Sequence, residues 1–337
     1  MNLHTRHLAR ALPARLVRAG LAALLACAPA LASADDLADY PSRPVRFIVP
    51  YATGGLPDTV ARIIGQRLTE NLGKSFVVEN KPGANGVVAA QTLMGSPHDG
   101  YTFLVTDGSM MSINPSLYKD LAYDPKRDFM PVALVATSPL FIAARPDFPA
   151  NTLKEFVDLA KKSTTGITYG SSGVGSSHHL TMEAMKSALN LRLDHVPFRG
   201  SGQAVPALVG KQVDIVVAAL PSLSGFAQKG QAKILATNSL KRSTLAPDIP
   251  AVSEIIPDFN FAVTVGVLAP TGTPKAIVKK LSDEVAKVVR QPEVIKQLQG
   301  LGIEPVGGSP EEYAKAIDEE ARRYAGPIKA AGIKPEN

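Results

Sequence analysis

Residues 45–58 read VRFIVPYATGGLPD, and this stretch decides the fold. Its first part, Val45 to Val49, is a short apolar run, which is typical of a buried strand. Gly54-Gly55 then break the regular structure, and helical periodicity follows over residues 58–72. One face of that helix carries Val60, Ile63, Ile64 and Leu68. The stretch therefore predicts a strand, a glycine loop and a helix in direct succession.

The same alternation of strand and helix continues along the chain. Further strands are predicted at 76–78, 101–105, 167–169, 193–196, 213–218 and 233–237. Further helices are predicted at 86–94, 153–161, 180–189, 204–209, 276–290, 292–301 and 310–325. This pattern predicts an α/β protein in which mainly parallel sheets are flanked by helices.

Two long, apolar, β-rich runs at 132–144 and 261–269 interrupt the alternation. We expect them to be strands that cross between two lobes. Lobe 1 would then comprise residues 41–142 plus 266–337, and lobe 2 residues 143–265. Two α/β lobes joined by two crossing strands are typical of a hinged binding protein. The pattern alone also fits a two-domain enzyme.

The N-terminus has the layout of a signal peptide, residues 1–34. Four arginines precede an apolar run from Ala19 to Ala30, and Ala32-Ser33-Ala34 offers small residues for cleavage before Asp35. The apolar run is too short to span a bilayer. The alternative is a lipoprotein modified at Cys27, the only cysteine. Cleavage after Ala34 predicts a periplasmic product without thiol or disulfide chemistry.

The charge distribution argues against a nucleic-acid partner. The leader contains four of the 36 basic residues and none of the 30 acidic ones, so the remaining chain is nearly balanced. Such interspersed charges form no basic stripe for phosphates. Trp is absent, and no aromatic–basic cluster is available to stack bases.

Three enzyme signatures are incomplete. Gly73-Lys74-Ser75 is similar to the end of a P-loop, but Leu68 stands where the motif needs its first glycine. Gly173-Val174-Gly175 begins like a dinucleotide fingerprint, but His178 replaces the third glycine. No Gly-x-Ser-x-Gly elbow occurs. We therefore expect no cofactor.

A secreted serine hydrolase is the alternative from another functional class. It would use Ser176 or Ser177 with His179, and it would need an acid to orient the histidine, which no motif places. His179 and Glu183 share a helix face, but they lack a third ligand at a metal-binding spacing. We therefore expect neither a catalytic site nor a metal site.

Two strand-to-helix loops stand out, residues 50–58 and 169–178. In parallel sheets, ligands bind beyond the carboxyl ends of strands. Helix starts there offer N–H donors and the positive end of a dipole, so they bind anions without a cationic side chain. Glycine allows close approach of the backbone, and Ser and Thr add hydroxyl donors. One such loop in each lobe favours a shared anion clamp.

With these loops in view, the sequence resembles the Bug (TctC-like) family, the periplasmic substrate-binding receptors of tripartite tricarboxylate transporters. The resemblance covers essentially the whole chain after the leader. The matching residues are, in order, Pro50-Tyr51, Gly54-Gly55, Asp58, Ala61-Arg62, Glu79 to Ala84, Asp99 to Thr102, Ile113 to Tyr118, Tyr169 to Ser177, His179-Leu180, Val196 to Gly200, Leu220-Pro221-Ser222, Ala269-Pro270 and Gly272-Thr273-Pro274.

The resemblance implies a two-lobed periplasmic-binding-protein fold of type II that closes on a small organic carboxylate. It also implies a non-catalytic monomer that delivers its ligand to inner-membrane subunits of the TctA/TctB type. The residues implied to line the site are Tyr51, Thr53, Gly54, Gly55, Asp58, Ser109 and Met110 in lobe 1, and Ser172, Gly173, Ser176, Ser177 and Ala219 in lobe 2. For Asp58, an intrahelical pair with Arg62 is an equally open interpretation.

The chain departs from the family pattern where specificity should be decided. Leu56-Pro57 replaces a small polar pair, Ala218-Ala219 replaces polar or acidic residues, and Thr264 stands where many relatives carry Trp. These changes remove a partner for an ammonium group, which argues against amino-acid ligands, and they leave room for a longer or less polar dicarboxylate. Arg199 either pairs with a distal carboxylate or lies on the surface. A carboxylate-sensing receptor in a signalling system remains the alternative within binding.

Overall fold

The computed structural model describes residues 39–243 and 246–332. The predicted leader, its cleavage site after Ala34 and Cys27 lie outside these residues. Within them, no helix has the length and apolar character needed to cross a bilayer.

Two β-sheets with helices packed around them form the architecture, so the predicted two-lobed α/β fold is confirmed. The strands are β1 (Val45–Val49), β2 (Phe76–Asn80), β3 (Thr102–Asp107), β4 (Phe129–Ser138), β5 (Phe141–Ala144), β6 (Ile167–Ser171), β7 (Leu193–Pro197), β8 (Ile215–Ala218), β9 (Lys233–Thr237), β10 (Val263–Pro270) and β11 (Glu304–Gly308). Lobe 1 contains the sheet β11-β4-β10-β3-β1-β2, and lobe 2 contains β7-β6-β8-β5-β9.

The helices cover both sheets and one of them reaches across the lobes. They are α1 (Leu56–Leu72), α2 (Val87–Met94), α3 (Asn114–Leu117), α4 (Pro125–Asp128), α5 (Leu153–Lys162), α6 (Ser177–Leu189), α7 (Ser201–Val209), α8 (Leu220–Gln228), α9 (Lys275–Val289), α10 (Pro292–Gln299) and α11 (Pro310–Ala331). A π-turn, Ser109–Ile113, follows β3. The C-terminal helix α11 packs on β4 of lobe 1 and also on α6 of lobe 2.

The sheets are mixed: most strands of each sheet run in one direction, as expected, whereas β5, β10 and β11 run the opposite way. In lobe 1, β1 pairs in parallel with β2 and β3, but β10 pairs antiparallel with β3 and β4. In lobe 2, β6 pairs in parallel with β7 and β8, but β5 pairs antiparallel with β8 and β9. Strands β5 and β10 each follow a crossing between the lobes, and β11, at the edge of the lobe 1 sheet, also pairs antiparallel with β4.

Asn238 ties the two crossing segments together. The first crossing lies between β4 and β5, and the second lies between β9 and β10. The Asn238 side chain accepts from the Leu140 amide at 2.8 Å and donates to the Phe261 carbonyl at 2.7 Å, so it bonds to both segments at once. It is fully buried. Asn238 therefore links the two crossing segments directly.

Candidate functional site

A cavity of about 180 Å³ lies where the two lobes meet. Its walls are formed by Pro50, Tyr51, Gly83, Ala84, Asn85 and Tyr118 of lobe 1 and by Ser172, Gly173, Val174, Pro197, Phe198 and Arg199 of lobe 2. The cavity is small, which suits a compact metabolite. Both lobes must be together for these walls to enclose it.

A hydrogen-bonded chain runs from the cavity wall across the lobe junction. The Tyr51 hydroxyl donates to Asp107 Oδ1 at 2.9 Å, and the Ser109 amide donates to the same oxygen at 3.0 Å. Ser109 Oγ in turn accepts from the Ser177 amide of lobe 2 at 3.1 Å. These hydrogen bonds therefore hold Tyr51 in position, and the first N–H group of α6 donates to the other lobe.

Asp107 is a buried acid at the carboxyl end of β3. Burial raises the pKa of its carboxyl group, and the hydrogen bonds from Tyr51 and Ser109 offset only part of that effect. Asp107 was not predicted as a functional residue. Its position directly before Gly108 and Ser109, at the end of a strand that faces the cleft, was the available signal in the sequence.

A second series of buried hydrogen bonds lies behind the lobe 2 wall of the cavity. Ser172 Oγ lies 3.2 Å from Ser201 Oγ, which lies 3.2 Å from His178 Nε2. Gly173 has φ +124°, a conformation that L side chains rarely adopt, and its amide donates to Ser171 Oγ at 3.0 Å. The loop is thereby held in one shape against the cavity.

The histidines near this wall supply no positive charge at neutral pH. Burial lowers the pKa of His178 to about 3, of His179 to about 4 and of His195 to about 3. The rings of His179 and His195 stack with centroids 3.8 Å apart. Of the side chains that line the cavity, Arg199 alone is charged. Arg199 is therefore the one positive charge among the residues that line the cavity.

The predicted loop at 50–58 has a dual role. Its first residues line the cavity, whereas Gly54 lies at the lobe junction with φ +85°. The Gly54 carbonyl accepts from Ser222 Oγ of lobe 2 at 2.8 Å, and its amide donates to Asp58 Oδ2 at 2.9 Å. Both polar backbone groups of Gly54 are thus used within the protein.

Asp58 holds this loop through its hydrogen bond from the Gly54 amide. It is not among the residues that line the cavity. The intrahelical pair is observed, with Arg62 Nη2 2.9 Å from Asp58 Oδ1. Burial raises the pKa of Asp58, but hydrogen bonds from Arg62, Gly54 and Asn80 outweigh it and hold the pKa below the ordinary value. The Asp58 carboxylate is therefore charged and fully engaged.

The predicted site residues divide into three groups. Tyr51, Ser172 and Gly173 line the cavity. Gly54, Ser109 and Ser177 make direct bonds between the lobes. The remaining ones lie outside the cavity walls and comprise Thr53, Gly55, Asp58, Met110, Ser176 and Ala219. Ligand contact by any of these residues stays a prediction.

The serine hydrolase geometry is not formed. Ser176 Oγ donates to the Gly173 carbonyl at 2.7 Å and caps α6 by accepting from the His179 amide. The His179 ring accepts from the Gly175 amide through Nδ1 at 3.1 Å, so that nitrogen faces a backbone group and not a serine. Within the described part of the chain, no cluster of three metal-binding side chains is found.

A larger groove of about 590 Å³ lies on the outside of lobe 1, between α11 and the segment 111–131. Its walls come from one lobe only, so closure of the lobes would not reshape it around a ligand. The smaller cavity between the lobes is therefore the candidate site.

Comparison with known proteins places the chain and its fold in one family. Residues 60–333 match the family model described as the tripartite tricarboxylate transporter family receptor, TctC. The periplasmic binding protein BugD has 34% sequence identity and a TM-score of 0.83, with 88% of this chain and 100% of BugD covered.

Two similar structures contain carboxylates. Rpa4515 of R. palustris, solved with adipate, has 32% identity and a TM-score of 0.85, with 88% of this chain and 100% of that chain covered. MatC of Rhodopseudomonas palustris, solved with bound malate, has 32% identity and a TM-score of 0.80, with 86% and 100% covered. The matched proteins are binding proteins and not enzymes.

Proposed function

Because the chain belongs to the tripartite tricarboxylate transporter receptor family, we propose that it captures a small organic dicarboxylate between its lobes and delivers it to inner-membrane subunits of the TctA/TctB type. The protein is a binding receptor and not an enzyme. On this proposal it works in the periplasm as a monomer, after cleavage following Ala34 and without lipidation at Cys27.

The observation that carries this proposal is the cavity between the lobes. It is small, it takes its walls from both lobes, and Arg199 is the one charged side chain in those walls. A ligand that contacts both walls stabilises the closed arrangement relative to the open one, so binding shifts the equilibrium towards closure. The carboxylates bound by Rpa4515 and MatC support this ligand class for the present chain.

We expect small dicarboxylates to raise the melting temperature of the protein. A ligand that binds only the folded state at 100 times its Kd stabilises that state by about 2.7 kcal/mol, which is a shift of several degrees. The measurement is a thermal-shift screen of mono- and dicarboxylates, with the matched neutral diamides, free amino acids and sugars as controls. A shift with a neutral sugar and with no carboxylate would contradict the proposed function.

Arg199→Ala is expected to weaken dicarboxylates about tenfold and matched monocarboxylates much less. Arg199 is exposed at the rim of the cavity, and a guanidinium there gains a charge-assisted hydrogen bond only from a second carboxylate. The measurement is calorimetric affinity for a dicarboxylate and for its monocarboxylate analogue. Arg192→Ala, an exposed arginine just before β7 begins, is the control. Equal losses for both ligands would remove Arg199 from recognition.

A further inference from the structure

The first turn of α8 in lobe 2 contacts lobe 1 at a place outside the ligand cavity. The hydroxyl of Ser222, a buried residue, donates to the Gly54 carbonyl at 2.8 Å. Neither residue is among those that line the cavity. Leu220, two residues earlier, lies against Gly302, just before β11 of lobe 1, so closely that a Cβ on that glycine would have no room. The start of α8 is therefore docked on lobe 1 by a hydrogen bond and an apolar contact.

The acceptor of this hydrogen bond is held in place by lobe 1 alone. Gly54 has φ +85°, and its amide donates to Asp58 Oδ2 at 2.9 Å. Asn80 Nδ2 donates to Asp58 Oδ1 and to the Tyr51 carbonyl, both at 2.9 Å. All of these groups belong to lobe 1, so their bonds do not depend on closure. The Gly54 carbonyl is therefore already oriented for Ser222 when the lobes are apart.

A bond between the lobes that does not involve the ligand acts on closure itself. The apparent Kd equals the intrinsic Kd divided by the fraction of the protein in the binding-competent form. A change in the stability of the closed form therefore changes the affinity for every ligand by the same factor. We propose that Ser222 is a latch whose bond to Gly54 sets the affinity for all ligands of the cavity without contacting any of them. This inference rests on the proposed function and adds a residue that acts on closure.

Ser222 is also the contact between the lobes that can be removed most cleanly. The Ala52 amide donates to the Arg199 carbonyl at 3.1 Å, but both groups are backbone. Ser109 Oγ accepts from the Ser177 amide, but both of these serines are themselves predicted ligand contacts. The Ser222 hydroxyl lies on a side chain outside the cavity walls, so its truncation leaves those walls intact.

Ser222→Ala is expected to weaken a dicarboxylate and its monocarboxylate analogue by one common factor of about five, because the closed form loses one neutral hydrogen bond. The probes are succinate with butyrate, glutarate with pentanoate, and adipate with hexanoate, and the best-bound pair decides. The loss should lie in the dissociation rate, since the ligand leaves only when the lobes separate, whereas the association rate should stay near the native value. The measurements are calorimetric affinity and rapid-mixing kinetics.

Ser224→Ala, on the same helix and partly buried, is the matched control and should leave both affinities unchanged. Leu220→Ala removes the apolar half of the contact and should also weaken both ligands by one common factor. Native affinity in Ser222→Ala, or losses that differ between the two ligands, would overturn the inference alone, as would a slower association at an unchanged dissociation rate. If Ser222→Ala does not fold, the same outcomes in Leu220→Ala decide. Binding of none of the probes would overturn the proposed function and the inference with it.

Discussion

Gly202→Ala is expected to weaken ligand binding by about 100-fold without lowering the melting temperature of the ligand-free protein. Gly202 lies in the first turn of α7 in lobe 2. A Cβ at this position would fall well inside van der Waals contact with the Thr53 carbonyl of lobe 1. Both sides of that contact are backbone, so neither can turn away by changing a rotamer. The substitution should therefore block closure, and overpacking of this kind costs about 1–3 kcal/mol.

The open protein should tolerate the same substitution. Alanine is about 1 kcal/mol more favourable than glycine in a helix, so α7 itself gains stability. Gly225→Ala in α8 is the matched control, because a Cβ there has no heavy atom within 4 Å. The measurements are calorimetric affinity and small-angle scattering with and without dicarboxylate. Native affinity in Gly202→Ala would show that the lobes do not meet at this contact when the ligand is bound.

Buried strands and amphipathic helices were predictable because their signal is local. The strand at Lys233–Thr237 was predicted with the observed bounds, and α1 begins only two residues before the expected start. The elements that were missed carry weak local signals. Helix α8 contains Pro221 and Gly225, and β11 contains Pro305 and two glycines. Contacts with the rest of the protein hold these segments, and a sequence window does not contain those contacts.

The hydrogen-bond partners of the site residues could not be predicted either, because they lie far away in the sequence. The glycine loops were identified, but the bond from Ser222 to Gly54 joins positions 168 residues apart. In the sequence, Asp107 and Asn85 are ordinary polar residues. Only the folded structure shows that Asp107 is a buried acid and that Asn85 Oδ1 is buried without a hydrogen-bond partner among the described residues. Strand direction is equally non-local, which is why the reversed direction of β5, β10 and β11 was not foreseen.

Glu320→Gln is expected to remove a large pH dependence of stability. Glu320, on α11, is 1% exposed and lies against β10. Its Oε1 accepts from the Thr264 amide and hydroxyl, both at 2.8 Å. Burial raises its pKa to about 7, with Asp107 adding to the rise and the Thr264 bonds and Arg323 opposing it. The buried hydroxyls of Tyr313 and Tyr324 also lie close enough to be affected by its charge.

The sign of the effect follows from proton binding. Between the ordinary pKa of 4.5 and the folded value of about 7, the folded state binds more protons than the unfolded state. The free energy of unfolding therefore falls as the pH rises through this window, by about 3 kcal/mol in total. Below the window Glu320 is protonated in both states, and above it Glu320 is ionised in both. Its contribution is then constant.

Comparison with the variant isolates this contribution from that of the histidines. His178, His179 and His195 have lowered pKa values in the folded state, so they act in the opposite direction and reduce stability as the pH falls below 6.5. Glutamine keeps the acceptor for Thr264 and cannot ionise. The stability of Glu320→Gln relative to the native protein should therefore rise by about 3 kcal/mol from pH 4.5 to pH 8.

The measurement is urea unfolding of the native protein and the variant across that pH range. Glu319→Gln makes the same change at the next residue, whose side chain is 53% exposed, and its pH profile should follow that of the native protein. Parallel profiles for Glu320→Gln and the native protein would mean that Glu320 ionises equally in both states. The buried carboxyl group would then be hydrated or paired in solution, and the packing of α11 on β10 would have to be looser than its contacts with Thr264 indicate.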